Sequence, residues 1–302
     1  MTLEQAMRGT LLLDGGLGTE LERAGGDLSS PLWSAQVLLA DPAQVVLVHK
    51  AYLEAGAECI TSASYQISAE GFRRAGLSAE EADLALTTSV LLARQVRDRF
   101  QQIHNRRALV AASVGPYGAM LADGSEFRGD YRLTIEQLTE FHLPRMTTLA
   151  AAAPDLLACE TIPSLLEAQA LVSCLHFLPS QKAWFSFSCA DDQHVSHGEQ
   201  LADCGRLLDS ESQVLAVGIN CTAPRLIAPL VRQLRAVTGK PIVVYPNAGQ
   251  TWDSVARQWR GAAGDNLATL AAEWRLEGAR WFGGCCGTTP QDIANLRAAI
   301  AA

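Results

Sequence analysis

Leu215-Ala216-Val217-Gly218-Ile219-Asn220-Cys221-Thr222 is an apolar run that turns polar at its end. A segment of helical period at 224–237 follows, then a second β-branched run, Ile242-Val243-Val244-Tyr245-Pro246. Apolar runs of about four to eight residues without polar alternation suit strands buried on both faces, and a helix between two of them is the crossover that parallel pairing requires. The unit recurs along the chain. Strand candidates fall at 11–14, 59–62, 109–114, 155–160, 184–188, 215–220, 242–246 and 280–283. Helix candidates fall at 42–55, 78–100, 134–152, 164–175, 201–208, 224–237, 266–277 and 290–301. Asp41 before Pro42, Ser78 with Glu81 three residues on, and Thr289 before Pro290 are helix-start signals. This alternation predicts an α/β fold, a closed (β/α)8 TIM barrel; a doubly wound open sheet is the other arrangement it allows. No low-complexity linker or composition break divides the chain, so one domain is expected over residues 1–302.

The formal net charge of −8 disfavours nucleic acid as a partner, because phosphate contacts need a basic surface and no Lys/Arg-rich stripe supplies one. An acidic surface favours the approach of a cationic small molecule. The start, Met-Thr-Leu-Glu-Gln-Ala-Met-Arg, has no basic stretch followed by an apolar run, and no segment has the length needed to span a bilayer. A cytoplasmic protein without membrane association is therefore expected, with its 8 cysteines as reduced thiols or metal ligands.

Three of those cysteines stand at strand ends. Cys285 and Cys286 lie in Gly283-Gly284-Cys285-Cys286-Gly287-Thr288 after the last strand, and Cys221 closes an earlier one. Adjacent thiols reach one point only if the backbone between them bends, which the flanking glycines permit. Three thiols suggest a catalytic metal, because structural zinc sites close with four protein ligands while catalytic sites keep one position open. A vicinal disulfide is strained and ill-suited to a reducing compartment. An iron–sulfur cluster normally takes four thiolates at wider spacing and remains the alternative. Cys59, Cys159, Cys174, Cys189 and Cys204 each stand alone and read as ordinary cysteines.

In a barrel the other strand ends share that mouth: Asp14, 62–66 including Tyr65, Glu160, Asn220 and 245–247. Glu160 follows an apolar run, where an ionised carboxylate needs a cation or several hydrogen-bond donors. The turn at 14–20 looks like a dinucleotide loop but has Leu21 where G-x-G-x-x-G requires its last glycine. The long stretch at 115–132 follows the third strand, and a long loop inside a compact domain is more often functional than idle. His194 and His197 have H-x-x-H spacing but lie in a polar loop and are left outside the site.

These motifs resemble the homocysteine S-methyltransferase family, the zinc-thiolate barrels that include betaine–homocysteine methyltransferase and the homocysteine domain of cobalamin-dependent methionine synthase. The resemblance runs through Asp14-Gly15-Gly16, Ala63-Ser64-Tyr65-Gln66, Ser113-Val114-Gly115-Pro116-Tyr117-Gly118, Ala158-Cys159-Glu160-Thr161, Gly218-Ile219-Asn220-Cys221 and Gly283-Gly284-Cys285-Cys286. Leu32-Trp33-Ser34-Ala35 and the stretch at 121–131 are similar to the branch that uses S-methylmethionine and sometimes S-adenosylmethionine. Gly18, where relatives often have Ala, and His197, where a close branch has Asp, depart from the pattern.

The resemblance implies Zn2+ held by Cys221, Cys285 and Cys286. It implies the homocysteine amino group at Asp14 and Glu160, with Gly15, Asn220, Tyr65 and Tyr117 binding substrate. The implied reaction moves a methyl group from a sulfonium, S-methylmethionine or S-adenosylmethionine, to homocysteine, giving methionine. No cobalamin or folate module is expected, and the loop with Asp123, Glu126 and Phe127 is the candidate for holding the cationic donor. Selenocysteine, selenohomocysteine and betaine are the alternative substrates. A non-catalytic metal-thiolate redox sensor is the reading from another class, and a zinc hydrolase would instead prefer His and carboxylate ligands. The oligomeric state stays open.

Overall fold

The computed structural model describes residues 2–249, 251–253, 258–260 and 266–301; the remaining part of the 1–302 domain expectation lies outside the described residues. Its strands are β1 (Leu11–Leu12), β2 (Cys59–Thr61), β3 (Leu109–Val114), β4 (Leu156–Ile162), β5 (Ala183–Phe187), β6 (Val214–Asn220), β7 (Ile242–Tyr245), β8 (Thr251–Asp253), β9 (Gln258–Arg260) and β10 (Ala279–Phe282). Eight of them form one parallel sheet in the order β1-β10-β7-β6-β5-β4-β3-β2. The two ends of that order meet. Leu13 bridges Cys59 in parallel, Asp14 N donates to Cys59 O at 3.0 Å, and Glu58 N donates to Leu12 O at 2.7 Å. Helices cross between successive strands, so the described residues form a (β/α)8 barrel.

Period 2 along each strand separates two cores. Leu12, Ile60, Val110, Leu157, Phe185, Val217, Val244 and Phe282 face the helical ring. Leu11, Leu109, Leu156, Trp184, Ala216, Val243 and Trp281 fill the interior, where the indoles of Trp184 and Trp281 meet edge to face at 6.1 Å. Helix Leu3–Arg8 closes the N-terminal end, its Ala6 carbonyl accepting from Trp281 Nε1 at 3.0 Å. The inward-facing series then turns polar towards the other end: Cys59 leads to Thr61, Ala111 to Ser113, Ala158 to Glu160, Trp184 to Ser186 and Val243 to Tyr245. That polar layer is the floor of the mouth.

The capping signals largely hold. Ser78 and Glu81 form a reciprocal capping box on helix Ala79–His104, and Thr289 and Asp292 exchange the same kind of bonds before helix Pro290–Ala301. Asp41 makes no side-chain cap; its carboxylate accepts from Gln44 Nε2 instead, and Pro42 alone supplies the start. Short helices at Leu17–Arg23, Ser34–Ala40, Ala69–Arg74 and Tyr117–Leu121, and the antiparallel pair β8 and β9, lie where the sequence reading places no element. Elements this short carry too few residues to show a period.

Gly218 pairs with Val243 across β6 and β7, and a Cβ there would lie 1.7 Å from the Val243 carbonyl oxygen. Backbone cannot yield as a side chain can. Gly218→Ala should cost more than about 3 kcal/mol, beyond ordinary overpacking, read as a lowered urea midpoint or loss of soluble protein.

Candidate active site

The C-terminal ends of the strands surround a cavity of about 810 Å³. Cys221, Cys285 and Cys286 meet in its wall, all three sulfurs within 4.8 Å of one another. Cys221 Sγ lies 3.7 Å from Cys286 Sγ, and Cys285 Sγ lies 3.9 Å from Cys286 Sγ, with no disulfide among them. Tetrahedral thiolates on a metal–sulfur bond of about 2.3 Å stand about 3.8 Å apart. The spacing therefore suits a soft metal ion, and three protein ligands leave one position over. Hydrogen bonds from Cys221 and then Cys286 hold the Cys285 thiol well below the ordinary range.

Local backbone places each sulfur. Cys221 directly follows β6 with φ 49°, a left-handed conformation uncommon outside glycine, and its N–H donates to Tyr245 O at 3.2 Å. The Cys285-Cys286 turn closes through Gly287 at φ 80° and is tied from several sides. Thr288 Oγ1 donates to Cys285 O at 2.6 Å and accepts from Gly16 N at 3.0 Å. Gly287 N donates to Thr19 Oγ1, Arg23 to Gly287 O, Tyr52 OH to Thr288 O, and Ala248 N to Cys286 O. Thr19, Arg23, Tyr52 and Thr288 were not legible as site residues, since each acts through a contact with a distant part of the chain.

Asp14 and Glu160 face the same cavity. Asp14 Oδ2 accepts from Thr61 N at 2.8 Å, and Thr61 Oγ1 also donates to it, yet burial still pushes its carboxyl up to about 7. Glu160 Oε1 accepts from Ser113 Oγ, and burial raises its carboxyl to about 8. The register of β4 against β5 slips between Cys159 and Ile162, with Thr161 at φ 59°. Asn220 holds that bulge: Thr161 N donates to Asn220 Oδ1 and Asn220 Nδ2 donates to Thr161 Oγ1, both at 2.7 Å. Bulges are frequent beside active sites, and this one fixes the backbone next to Glu160, whose side chain strand alternation already turns inward.

Gly15, Tyr65 and Asn220 also line the cavity, whereas Tyr117 does not. The Tyr117 ring packs on Tyr131 and Phe141 at 5.2 and 4.9 Å, because its helix turns it under the loop rather than towards the mouth. Of the following loop, Gly124, Glu126 and Phe127 reach the cavity, while Asp123 is exposed and caps Ser125 N at 2.9 Å. His194 and His197 pair with Asp191 and Glu199 and join no metal cluster among the described residues.

Arg145 and Trp33 are further residues that sequence reasoning missed. Arg145, buried on helix Ile135–Ala151, donates to the carbonyls of Ser64, Tyr65 and Gly115, clamping the loops after β2 and β3 together. Trp33 lies on the cavity wall at φ 48°, its indole over Gly18, where a Cβ would come within 2.3 Å of it. An alanine at Gly18 would displace that ring.

A closed parallel barrel with its thiols and buried carboxylates at the C-terminal mouth is of the class of barrel enzymes that carry their chemistry at that end. The chain belongs to the homocysteine S-methyltransferase family, whose profile matches residues 11–300. It is 46% identical over 294 residues to the Bacillus subtilis homocysteine S-methyltransferase YbgG, covering 95% of this chain and 93% of that one. It is 42% identical to the Astragalus bisulcatus selenocysteine methyltransferase, covering 97% of this chain and 93% of that one. The metallated crystal structure of the Escherichia coli homocysteine methyltransferase MmuM superposes with a TM-score of 0.88 at 43% identity, covering 96% of each chain. No described helix is long and apolar enough to cross a membrane.

The raised carboxyls have a measurable consequence. The folded state binds these protons more tightly than the unfolded chain, so the stabilisation is fully present below about pH 4. It is lost as pH climbs through about 8, the upper of the two folded values. In metal-free protein, the melting temperature of Glu160→Gln should fall less between pH 5 and pH 8 than that of the wild type. Parallel curves would mean that burial does not hold the Glu160 proton.

Proposed function

We propose that this chain transfers a methyl group from a sulfonium donor, S-methylmethionine, to the sulfur of homocysteine, giving methionine, with zinc held by Cys221, Cys285 and Cys286. The observation that carries this reading is the spacing of the three sulfurs, 3.7 and 3.9 Å between neighbours, which suits one tetrahedral ion with a position left for a fourth thiol. Bound there, zinc supplies the positive charge that keeps a substrate thiol deprotonated at neutral pH, where a free thiol is mostly protonated.

The protein's own groups orient the reactants. Asp14, buried, and Glu160, partly buried, hold their protons more tightly than free carboxyls do, accept the N–H bonds of the homocysteine ammonium and become fully ionised against it. Thr61 and Ser113 fix their carboxylates, and Asn220 holds the bulge beside Glu160. The homocysteine sulfur attacks the sulfonium methyl in line. One carbon–sulfur bond forms, the other breaks with its electron pair leaving on the donor sulfur, and a neutral thioether departs. A leaving group that loses its charge needs no acid, so Asp14 and Glu160 are free for the amino-group role assigned to them.

The test is methionine formation by zinc-loaded protein from homocysteine with S-methylmethionine as sole donor, with S-adenosylmethionine and betaine in parallel and selenocysteine as an alternative acceptor. Turnover fastest with S-methylmethionine and homocysteine supports the assignment; no product from any pair despite stoichiometric zinc overturns it. Cys285→Ser or Cys286→Ser should lose both zinc and turnover, and full activity without metal would refute the metal role. Asp14→Asn should retain zinc while raising the KM for homocysteine about 10- to 100-fold, the worth of a charged hydrogen bond. An unchanged KM would exclude Asp14 from amino-group binding.

A further inference from the structure

Glu126 carries a carboxylate oxygen, Oε2, that no group among the described residues satisfies. It lines the cavity, its Oε2 is buried without a hydrogen-bond partner, and it joins no ion pair among the described residues. The nearby Arg128 is exposed and lies 3.4 Å from Asp130 and 4.0 Å from Asp123. The described lining carries Asp14, Glu22, Asp27, Glu126 and Glu160 against one cation, Arg23, whose guanidinium is already bonded to Glu20 and to Gly287 O. That oxygen lacks a partner until a ligand brings one, and leaving it unmet is costly.

We propose that Glu126 is a specificity-determining residue that binds the α-ammonium group of an amino-acid sulfonium donor; this rests on the reading of the site as a sulfonium-dependent methyltransferase. Two observations select that end of the donor. The strand order sets β3, whose following loop carries Glu126, across the barrel from β7, which lies between the two strands that lead to the thiols, and Glu126 and the thiols line one cavity. A donor whose methyl faces the thiols therefore reaches Glu126 with its far end. A sulfonium has no N–H or O–H to give an orphaned carboxylate oxygen, whereas an ammonium has three N–H donors. Asp14 and Glu160 remain for the acceptor's amino group. Burial raises the Glu126 carboxyl to about 7, so a cationic partner draws it fully into the ionised form. Asp123 of the same loop is outside this role, because its carboxylate caps Ser125.

The test compares S-methylmethionine with dimethylsulfoniopropionate, a sulfonium carboxylate lacking the α-ammonium, on zinc-loaded protein. Binding is measured by calorimetry and turnover with homocysteine. Wild type is expected to bind S-methylmethionine at least tenfold more tightly than dimethylsulfoniopropionate. Glu126→Gln should lower that preference at least tenfold, Glu126→Asp should fall between, and Asp123→Asn should keep the wild-type ratio. A loss of folding or of general site integrity weakens both ligands together and leaves the ratio alone, so an unchanged ratio in both Glu126 variants overturns the proposal. Failure of wild type to bind S-methylmethionine overturns it as well. Tight, Glu126-dependent binding without methionine formation would support this inference while refuting the proposed reaction.

Discussion

The seam between β1 and β2 closes the barrel through one bridge, Leu13 to Cys59, and the backbone bonds on either side of it. In a parallel sheet every strand points the same way, so closure brings all C-terminal ends to one rim; opened at this seam, Asp14 and Thr61 would lie at opposite edges of a sheet. The bond from Thr61 N to Asp14 Oδ2 crosses that seam at the level of the site. A cavity-facing carboxylate is thus also part of the closure, and the cavity exists because the ladder has no edges.

Above the seam, the dominant force on the site is desolvation. Asp14, Glu126 and Glu160 are each raised by burial more than their hydrogen bonds lower them. A fold optimised for stability alone would replace such groups or pair them with arginines. The buried Arg145 points instead at three backbone carbonyls and supports the loop that carries Tyr65. Its charge organises the walls and leaves the acids unmatched, the state a cavity needs if its ligands are themselves cations.

Backbone conformation supplies the remaining precision. Thr161 and Cys221, non-glycine residues next to the carboxylate and among the thiols, both adopt positive φ. Such positions persist where the surroundings over-determine them. Asn220 is the common restraint, since it bonds to Thr161 from β6 and directly precedes Cys221. One side chain therefore couples the placement of Glu160 to that of a thiol.

The barrel was legible because its signal is repeated: β-branched runs such as Ile242-Val243-Val244 and the capping box at Ser78 and Glu81 are local and reflect period and backbone chemistry. The three cysteines and Asp14 were legible for a related reason, as reactive residue types at strand ends share a mouth once a barrel is assumed. Contacts between distant segments were not. Trp33 over Gly18, Arg145 beneath Tyr65 and Thr288 against Gly16 join parts of the chain whose sequences say nothing of each other. Tyr117 shows the converse, a motif residue placed by its neighbours outside the cavity. Sequence alone determined the succession of strands and helices and the residue types at their ends, because hydrogen-bond period and propensity act over a few residues. Only the tertiary structure decided which side chains lost water, which carboxylates found partners and which sulfurs met, because desolvation and packing depend on what the rest of the chain places around each group.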